Sequence, residues 1–215
     1  LATHFGKHIE DGWRLTRDFY GAFGTRPPWT WLGASGHHAE LNSWLDGQWP
    51  ALVNDGVPRR FSNHRKYENK SPTQMKSVLG SYIEFVTGHG DHRSLMEDVH
   101  RAVGQNPHEG FHELYRRMTA VKRFGRLGTF DVLAMLGKLG IAPIEPGSAY
   151  LAEATGPLKG AKLFVFGDAE AKAETRQLEE ILAGLDTELK VGKQVLEDAL
   201  CNWQKTPERF VLFRG

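Results

Sequence analysis

Along most of the chain, apolar residues recur every three or four positions, the spacing that places them on one face of an α-helix. This pattern predicts a first helix over about 5–22. It also predicts a short second helix that ends before Pro50, because proline lacks the N–H that a helix interior needs. Ser71 followed by Pro72 predicts the start of another. No β-α-β pattern of a parallel sheet occurs, so the predicted fold class is all-α.

The helical pattern continues into the C-terminal part, where two longer helices are predicted over about 169–184 and 188–203. Hydrophobic residues make up 40% of the 215 positions, enough to bury a core at this length. We therefore expect a single domain over 1–215, on which the aromatic-rich segment 1–57 packs. No apolar run reaches the roughly 18 residues of a membrane span, so no membrane partner is expected.

Charge is distributed unevenly along the chain, although the formal net charge is only +1. Lysine and arginine are concentrated in 58–76 and 112–128, whereas 168–188 is acidic. A net charge near zero argues against a histone-like binder, because non-specific DNA affinity comes mainly from neutralised phosphates. The two basic stretches still predict a basic patch to which nucleic acid can bind. The lone cysteine, Cys201, indicates a reducing compartment.

The string HEGFH at 108–112 matches the H-E-x-x-H pattern of zinc peptidases, in which the two histidines ligate the metal and the glutamate activates water. Here the string directly follows Asn106 and Pro107, so it is predicted to form the first turn of a helix. It contains a glycine, and no second zincin signature follows it. A polar, partly exposed turn is the favoured interpretation of the string. A metal-dependent hydrolase is the least favoured of the three functional hypotheses considered for the chain.

The string RFGRLGTFD, which begins at Arg123, joins two predicted helices. Gly125 and Gly128 are predicted to bracket a tight turn, and Thr129 is predicted to cap the helix that follows. The free N–H groups of that helix suit a phosphate, and Arg126 adds positive charge. The arrangement is typical of a helix-hairpin-helix clamp on DNA, although its glycines are spaced G-x-x-G rather than G-x-G. An ordinary pair of helices explains the string about equally well.

Three strings together resemble a known family: KRFGR and FD within 122–131, TGPLKGA at 155–161, and LCNWQK at 200–205. They are similar to phage proteins of thymine hypermodification, namely the α-glutamyl/putrescinyl thymine pyrophosphorylases and the related amino acid:DNA transferases. The resemblance covers roughly 58–205. It implies an all-α, multi-helix fold of the DNA-glycosylase type with a helix-hairpin-helix-like element.

The resemblance also implies a reaction. Such enzymes act on DNA in which thymine is replaced by phosphorylated 5-hydroxymethyluracil, and they replace the phosphate or pyrophosphate with an amine. The expected partners are therefore double-stranded DNA that carries the modified base and a small amine or amino acid, with glycine as the first choice. No organic cofactor or metal ligand is assigned, and Mg²⁺ and the oligomeric state are left open. The expected location is the cytoplasm of a phage-infected bacterium.

This chemistry assigns roles to particular side chains. Cations must neutralise the leaving group and the DNA backbone, and the candidates are Arg59, Arg60, Arg65, Lys66, Arg123, Arg126 and Lys159. A flipped-out base needs an aromatic ring on which to stack, and the candidates are Tyr67, Phe124 and Trp203. The attacking amine must lose a proton to a general base, for which Asp131 is the first candidate and His64 the second.

Cys201 offers a covalent alternative, in which its thiolate displaces the leaving group before the amine attacks. Lys205 lies one helical turn away and would favour the thiolate. Direct displacement is the favoured route, since a lone cysteine on an apolar helix face is more often part of the core. The second functional hypothesis is a non-catalytic or glycosylase-like helical DNA-binding protein, which needs the basic hairpin but no amine.

Overall fold

A computed structural model describes residues 9–54, 56 and 72–209 of the chain. These ranges contain ten α-helices and no β-strand, which confirms the all-α class. The helices are α1 Ile9–Tyr20, α2 Trp31–Gly36, α3 His38–Asn54, α4 Pro72–Thr87, α5 His92–Val103, α6 Pro107–Arg117, α7 Arg126–Lys138, α8 Gly156–Phe166, α9 Thr175–Leu189 and α10 Lys193–Trp203. None of the helices in the described ranges is long and apolar enough to cross a membrane.

The described residues divide into two compact units. The first unit comprises 9–54, 56, 72–95 and 120–123. Its core is rich in aromatic side chains and consists of Phe19, Ala22, Trp29, Leu41, Leu45, Trp49, Met75 and Ile83. Trp44 packs against this core, with ring centroids 5.5 Å from Phe19 and 5.6 Å from Trp29 in edge-on geometry, which is the favoured arrangement of aromatic pairs.

The second unit comprises 96–119 and 124–209. One cluster of its core is aliphatic and consists of Ala149, Leu151, Ala161, Leu178, Leu182 and Leu200. Close packing of α8 on α10 forms part of this core, because Gly160 lies directly against the Leu200 carbonyl group. A Cβ atom at position 160 would overlap that carbonyl, so only glycine allows the two helices to approach this closely.

Three of the predicted helices have wrong limits. The second predicted helix does not end before Pro50, because α3 continues through it to Asn54. Burial of Leu41, Leu45 and Trp49 on one face of α3 outweighs the hydrogen bond that Pro50 cannot donate. The helix predicted over 169–184 is instead α9, Thr175–Leu189.

A local turn explains the later start of α9. Gly167 ends α8 in a left-handed conformation, with φ 70°. The Asp168 carboxylate then accepts a hydrogen bond from the amide of Glu170 at 2.9 Å, which favours a turn over a helix. The helix predicted over 188–203 corresponds to α10, which ends at Trp203 as predicted. Its predicted start is wrong, because α9 continues to Leu189 and Gly192, with a φ of 86°, precedes the start of α10 at Lys193.

Candidate functional site

Tyr150 lies in a strained turn of the second unit. Its backbone is left-handed, with φ 52° and ψ 47°, a conformation that costs free energy for an aromatic residue. The Glu179 carboxylate fixes the turn by accepting hydrogen bonds from the amides of Ala149 at 2.9 Å and Leu151 at 2.7 Å. The Ser148 hydroxyl accepts a third bond, from the Tyr150 amide at 3.2 Å. These contacts hold the backbone on both sides of Tyr150.

Arg126 holds the same turn from α7. Its Nη2 donates to the Ala149 carbonyl at 2.7 Å, and its Nε donates to the Tyr150 carbonyl at 3.3 Å. Its Nη1 donates to Glu197 Oε1 at 2.5 Å, in an ion pair whose side chains are only 8% and 2% exposed. The sequence predicts a phosphate-binding role for Arg126. Its guanidinium group lies among internal acceptors, where it positions the Tyr150 turn.

Asp131, the first candidate for the general base, lies on α7 and is 8% exposed. Burial raises the pKa of Glu197, Arg126 lowers it, and the negative charges of Asp198 and Asp131 raise it further. Arg126, Asp131 and Glu197 therefore share one electrostatic environment, which we call the buried charge cluster.

Aromatic rings surround the Tyr150 side chain. The nearest is Tyr115, whose ring centroid lies 4.4 Å away, and the rings of Phe111 and Phe130 follow at 5.6 and 5.7 Å. Burial raises the pKa of both tyrosines. The pKa of Tyr150 is raised well above the ordinary range of a phenol. Both phenols therefore remain neutral over the physiological pH range.

The histidines of the HEGFH string have separate partners. His112 Nδ1 lies 3.2 Å from the Tyr150 hydroxyl, whereas His108 Nδ1 lies 3.1 Å from the Glu145 carbonyl oxygen. The string occupies the first turn and a half of α6, and the Asn106 side chain caps this helix as predicted. Across the described part of the chain, no three His, Cys, Asp or Glu side chains are grouped so as to hold a metal ion.

Several candidates meet where α8 packs along α10. Cys201 is half-buried, and its Sγ lies so close to Gly156 that a Cβ there would come within 2.8 Å of it. Trp203 is 39% exposed and has an edge-on contact with the exposed Phe164, with centroids 6.5 Å apart. Lys205 donates to the Asn202 side chain at 3.0 Å. We call this region the α8–α10 surface.

Lys159 also lies on α8, and its Nζ donates to Glu170 Oε1 at 2.5 Å. The two side chains are 44% and 73% exposed. An exposed pair of this kind contributes little free energy, because water screens both charges. The ammonium group of Lys159 can therefore exchange its partner for a phosphate at small cost.

The predicted hairpin differs from expectation at Thr129 and at Gly128, which lies inside α7 rather than at the end of a tight turn. Gly125 is the N-cap of α7, and the amide of Thr129 donates to the Gly125 carbonyl at 3.0 Å. The prediction that Thr129 caps the helix is therefore wrong, because the first helical hydrogen bond already closes at Gly125. A Cβ added at Gly125 or Gly128 would meet no atom within 4 Å, so the space beside both glycines is open.

The remaining candidate residues belong neither to the buried charge cluster nor to the α8–α10 surface. Arg123 belongs to the first unit, is exposed and has a left-handed φ of 61°. Phe124 is half-buried and belongs to the second unit. The other basic, aromatic and histidine candidates lie outside the described residues: Arg59, Arg60, His64, Arg65, Lys66 and Tyr67.

An open cleft of about 200 Å³ lies in the second unit, between the C-terminal half of α7 and the start of α10. Its walls are apolar at Ala134, Ile144 and Val195, and carry charge at Lys138 and Glu145. None of the residues assigned from the sequence lines it.

The sequence does not predict a role for Tyr150, Glu179 or Glu197, which form the turn and support it. Arg126 and Glu197 are 71 residues apart, so no local pattern links them. His112 was noticed only as part of a zinc motif. One signal pointed to Tyr150: a bulky residue in the Pro- and Gly-rich connection after α7 stands where a turn is expected.

The model of one protein family, the alpha-glutamyl/putrescinyl thymine pyrophosphorylases of clade 3, matches residues 1–215. Neither a curated protein nor a solved structure matches the chain. The family name denotes enzymes of thymine hypermodification. Because the match extends over every residue, the chain belongs to the alpha-glutamyl/putrescinyl thymine pyrophosphorylase family, clade 3.

Proposed function

We propose that the chain is a transferase that replaces the phosphate or pyrophosphate on activated 5-hydroxymethyluracil in DNA with an amine. The observation that carries this proposal is the family match over 1–215. The family name specifies thymine that bears an α-glutamyl or a putrescinyl group, and glutamate and putrescine each offer an amine for attachment. The donor is an amino acid, with glycine and glutamate as the first two to test, or a polyamine.

The proposed step is a substitution at the 5-methylene carbon of the base. The lone pair of the amine nitrogen forms the new C–N bond, and the C–O bond breaks as its electron pair leaves with the phosphate or pyrophosphate. The nitrogen then holds one proton too many, which a general base removes. An anionic leaving group departs more readily beside fixed positive charge.

The α8–α10 surface supports a DNA-binding role. Trp203 presents an exposed ring on which a flipped-out base can stack, and base–aromatic stacking contributes about 1–3 kcal/mol per base. Lys159 offers a cation whose present partner is exposed and easily exchanged. Arg123 adds an exposed cation in the first unit, and Arg59, Arg60, Arg65 and Lys66 keep their proposed phosphate role.

Direct displacement remains the favoured route over a covalent intermediate on Cys201. The Cys201 side chain packs against Gly156, where α8 and α10 meet, so packing accounts for its position. Replacement by serine should therefore leave substantial transfer activity. Complete loss in a folded Cys201→Ser protein would instead favour the covalent route.

The proposal is tested by mass spectrometry of the nucleosides from DNA treated with the protein. The substrates are duplexes that carry 5-hydroxymethyluracil as the phosphate or the pyrophosphate, each incubated separately with glycine, glutamate or putrescine. A nucleoside with the mass of an amine adduct is expected for one donor, and its mass identifies that donor.

The same assay separates the competing function. Retained, salt-dependent DNA binding without any adduct would identify a helical DNA-binding protein that needs neither an amine nor an activated base. Unmodified duplex and 5-hydroxymethyluracil duplex without phosphate are the matched controls, because they present the same backbone but no leaving group.

A further inference from the structure

His108 and His112 lie one turn apart on α6, and their rings contact different groups. Both histidines are exposed. His108 bonds to the carbonyl oxygen of Glu145, whereas His112 bonds to the hydroxyl of Tyr150, the residue with the strained backbone. Non-glycine residues in left-handed conformations are concentrated at functional sites, where the surrounding structure has to maintain them.

This contact fixes which His112 nitrogen faces solvent. When Nδ1–H donates to the Tyr150 oxygen, Nε2 carries a lone pair that can accept a proton. Imidazole is the side chain most often used for proton transfer near neutral pH. The Tyr150 phenol does not titrate in that range, because burial raises its pKa. The ring is therefore held by a neutral partner while its other nitrogen stays accessible.

We infer that His112 is the general base of the proposed transfer reaction and that Tyr150 is its positioning residue, an inference that rests on the proposed function. As the amine nitrogen bonds to the 5-methylene carbon, Nε2 of His112 accepts the proton that the nitrogen loses. The resulting imidazolium keeps its Nδ1–H on the Tyr150 oxygen, and the proton passes to solvent after the product leaves. The His112 side chain is exposed to solvent, where a small amine can reach it, whereas Asp131 is buried.

Charged groups of the second unit lie near the His112–Tyr150 pair. Glu109 on α6 and Glu179 on α9 act on Tyr150. Arg126 on α7 donates to the Tyr150 carbonyl. The neighbouring Tyr115 is affected by Glu153 and Arg126, and Glu113, next to His112 in the chain, is paired with Arg116 and Arg117. Glu179 and Glu109 both raise the pKa of Tyr150, so their negative charges reach the pair.

The test compares His112→Ala with His108→Ala, because both remove an exposed histidine from the same helix. The pH dependence of adduct formation is measured by nucleoside mass spectrometry for each variant and for the wild type. The wild-type rate should rise with pH as the base loses its proton. His112→Ala should lower kcat by about 10²-fold or more and abolish this rise, while His108→Ala keeps both.

Tyr150→Phe keeps the ring but removes the hydroxyl that orients His112. It should lower kcat less than His112→Ala does and change the pH at which the rate of adduct formation rises. The KM for DNA should be unchanged. Circular dichroism and thermal unfolding confirm that each variant is folded.

An active wild type with an unaffected His112→Ala variant, or equal losses in both histidine variants, would overturn the role of His112 and leave the proposed function standing. A wild type that forms no adduct with any donor would overturn both.

Discussion

The two units differ in how often their buried polar atoms lack a hydrogen-bond partner. Within the part of the chain that the structure describes, four side-chain atoms in the first unit are buried without a hydrogen-bond partner: Arg26 Nε, Trp29 Nε1, His38 Nε2 and Asn42 Oδ1. In the second unit only Gln194 Oε1 is in this state among the described residues. Yet the second unit buries full charges, at Arg126 and Glu197, and pairs them.

This difference indicates which unit contains the more precisely positioned polar groups. A partner for a buried polar atom fixes the geometry of both groups, and a buried ion pair tolerates little displacement. The second unit combines the buried charge cluster with a strained tyrosine and an exposed histidine. The first unit derives its order mainly from interlocking aromatic rings, such as those of Trp29 and Trp44.

The largest expected effect comes from the same replacement, polar residue to leucine, made once in each unit. Glu197→Leu leaves the Arg126 charge buried without its carboxylate, which should lower the free energy of unfolding by about 3–5 kcal/mol. Asn42→Leu removes a buried oxygen that has no partner, so the change should stay within about 1 kcal/mol. Denaturant unfolding, followed by circular dichroism, measures both.

A double variant sharpens the result. Arg126→Met with Glu197→Leu removes both charges, so it should regain most of the lost stability. It cannot restore the hydrogen bonds from Arg126 to the Ala149 and Tyr150 carbonyls, so transfer activity should stay low. Equal costs for the two single leucine variants would remove the contrast between the units.

The next effect tests the close packing of α8 on α10. Gly160→Ala places a Cβ against the Leu200 carbonyl and should destabilise the protein by about 1–3 kcal/mol. Gly184→Ala is the matched control, because it lies inside α9 with no atom within 4 Å of the added methyl group. That control should gain up to about 1 kcal/mol from the better helix propensity of alanine. Thermal unfolding distinguishes the two, and a neutral Gly160→Ala would show that the helices can separate freely.

Local signals predicted the parts of the fold that local contacts create. Asn106 and Pro107 predicted the start of α6, and the Asn106 side chain accepts hydrogen bonds from the amides of His108 and Glu109, at 2.9 and 3.3 Å. The continuation of α3 through Pro50 was missed, because it depends on burial against other elements. Propensity alone carries no information about that burial.

The site was less accessible to prediction for the same reason. The sequence drew attention to Arg126 because a turn rich in glycine and arginine suits a phosphate, and to Asp131 because a carboxylate can act as the general base. It gave no hint that Glu197 and Glu179 would meet Arg126 and the Tyr150 turn, because these contacts join distant parts of the chain. The domain organisation and the helix-hairpin-helix role stay predictions.

The smallest expected effect concerns pH and again contrasts the two units. Hydrogen bonds from Arg116 and Arg117 lower the pKa of Glu113 to about 2. A carboxyl whose pKa is lower in the folded than in the unfolded state stabilises the protein above its unfolded value of about 4.3, and this stabilisation is lost as the pH falls toward 2. Glu113→Gln should therefore lower the free energy of unfolding at pH 7 by about 1–2 kcal/mol, because Arg116 is 67% exposed and screened.

The variant should also lose part of the stability change between about pH 4.5 and 2, which urea unfolding at several pH values measures. Asp46→Asn is the control in the first unit, because the Asp46 carboxylate is 56% exposed in its ion pair with Lys76, which should therefore contribute less than about 1 kcal/mol. If Asp46→Asn changed the acid dependence as much as Glu113→Gln, the stronger electrostatic organisation of the second unit would not extend beyond its buried charge cluster.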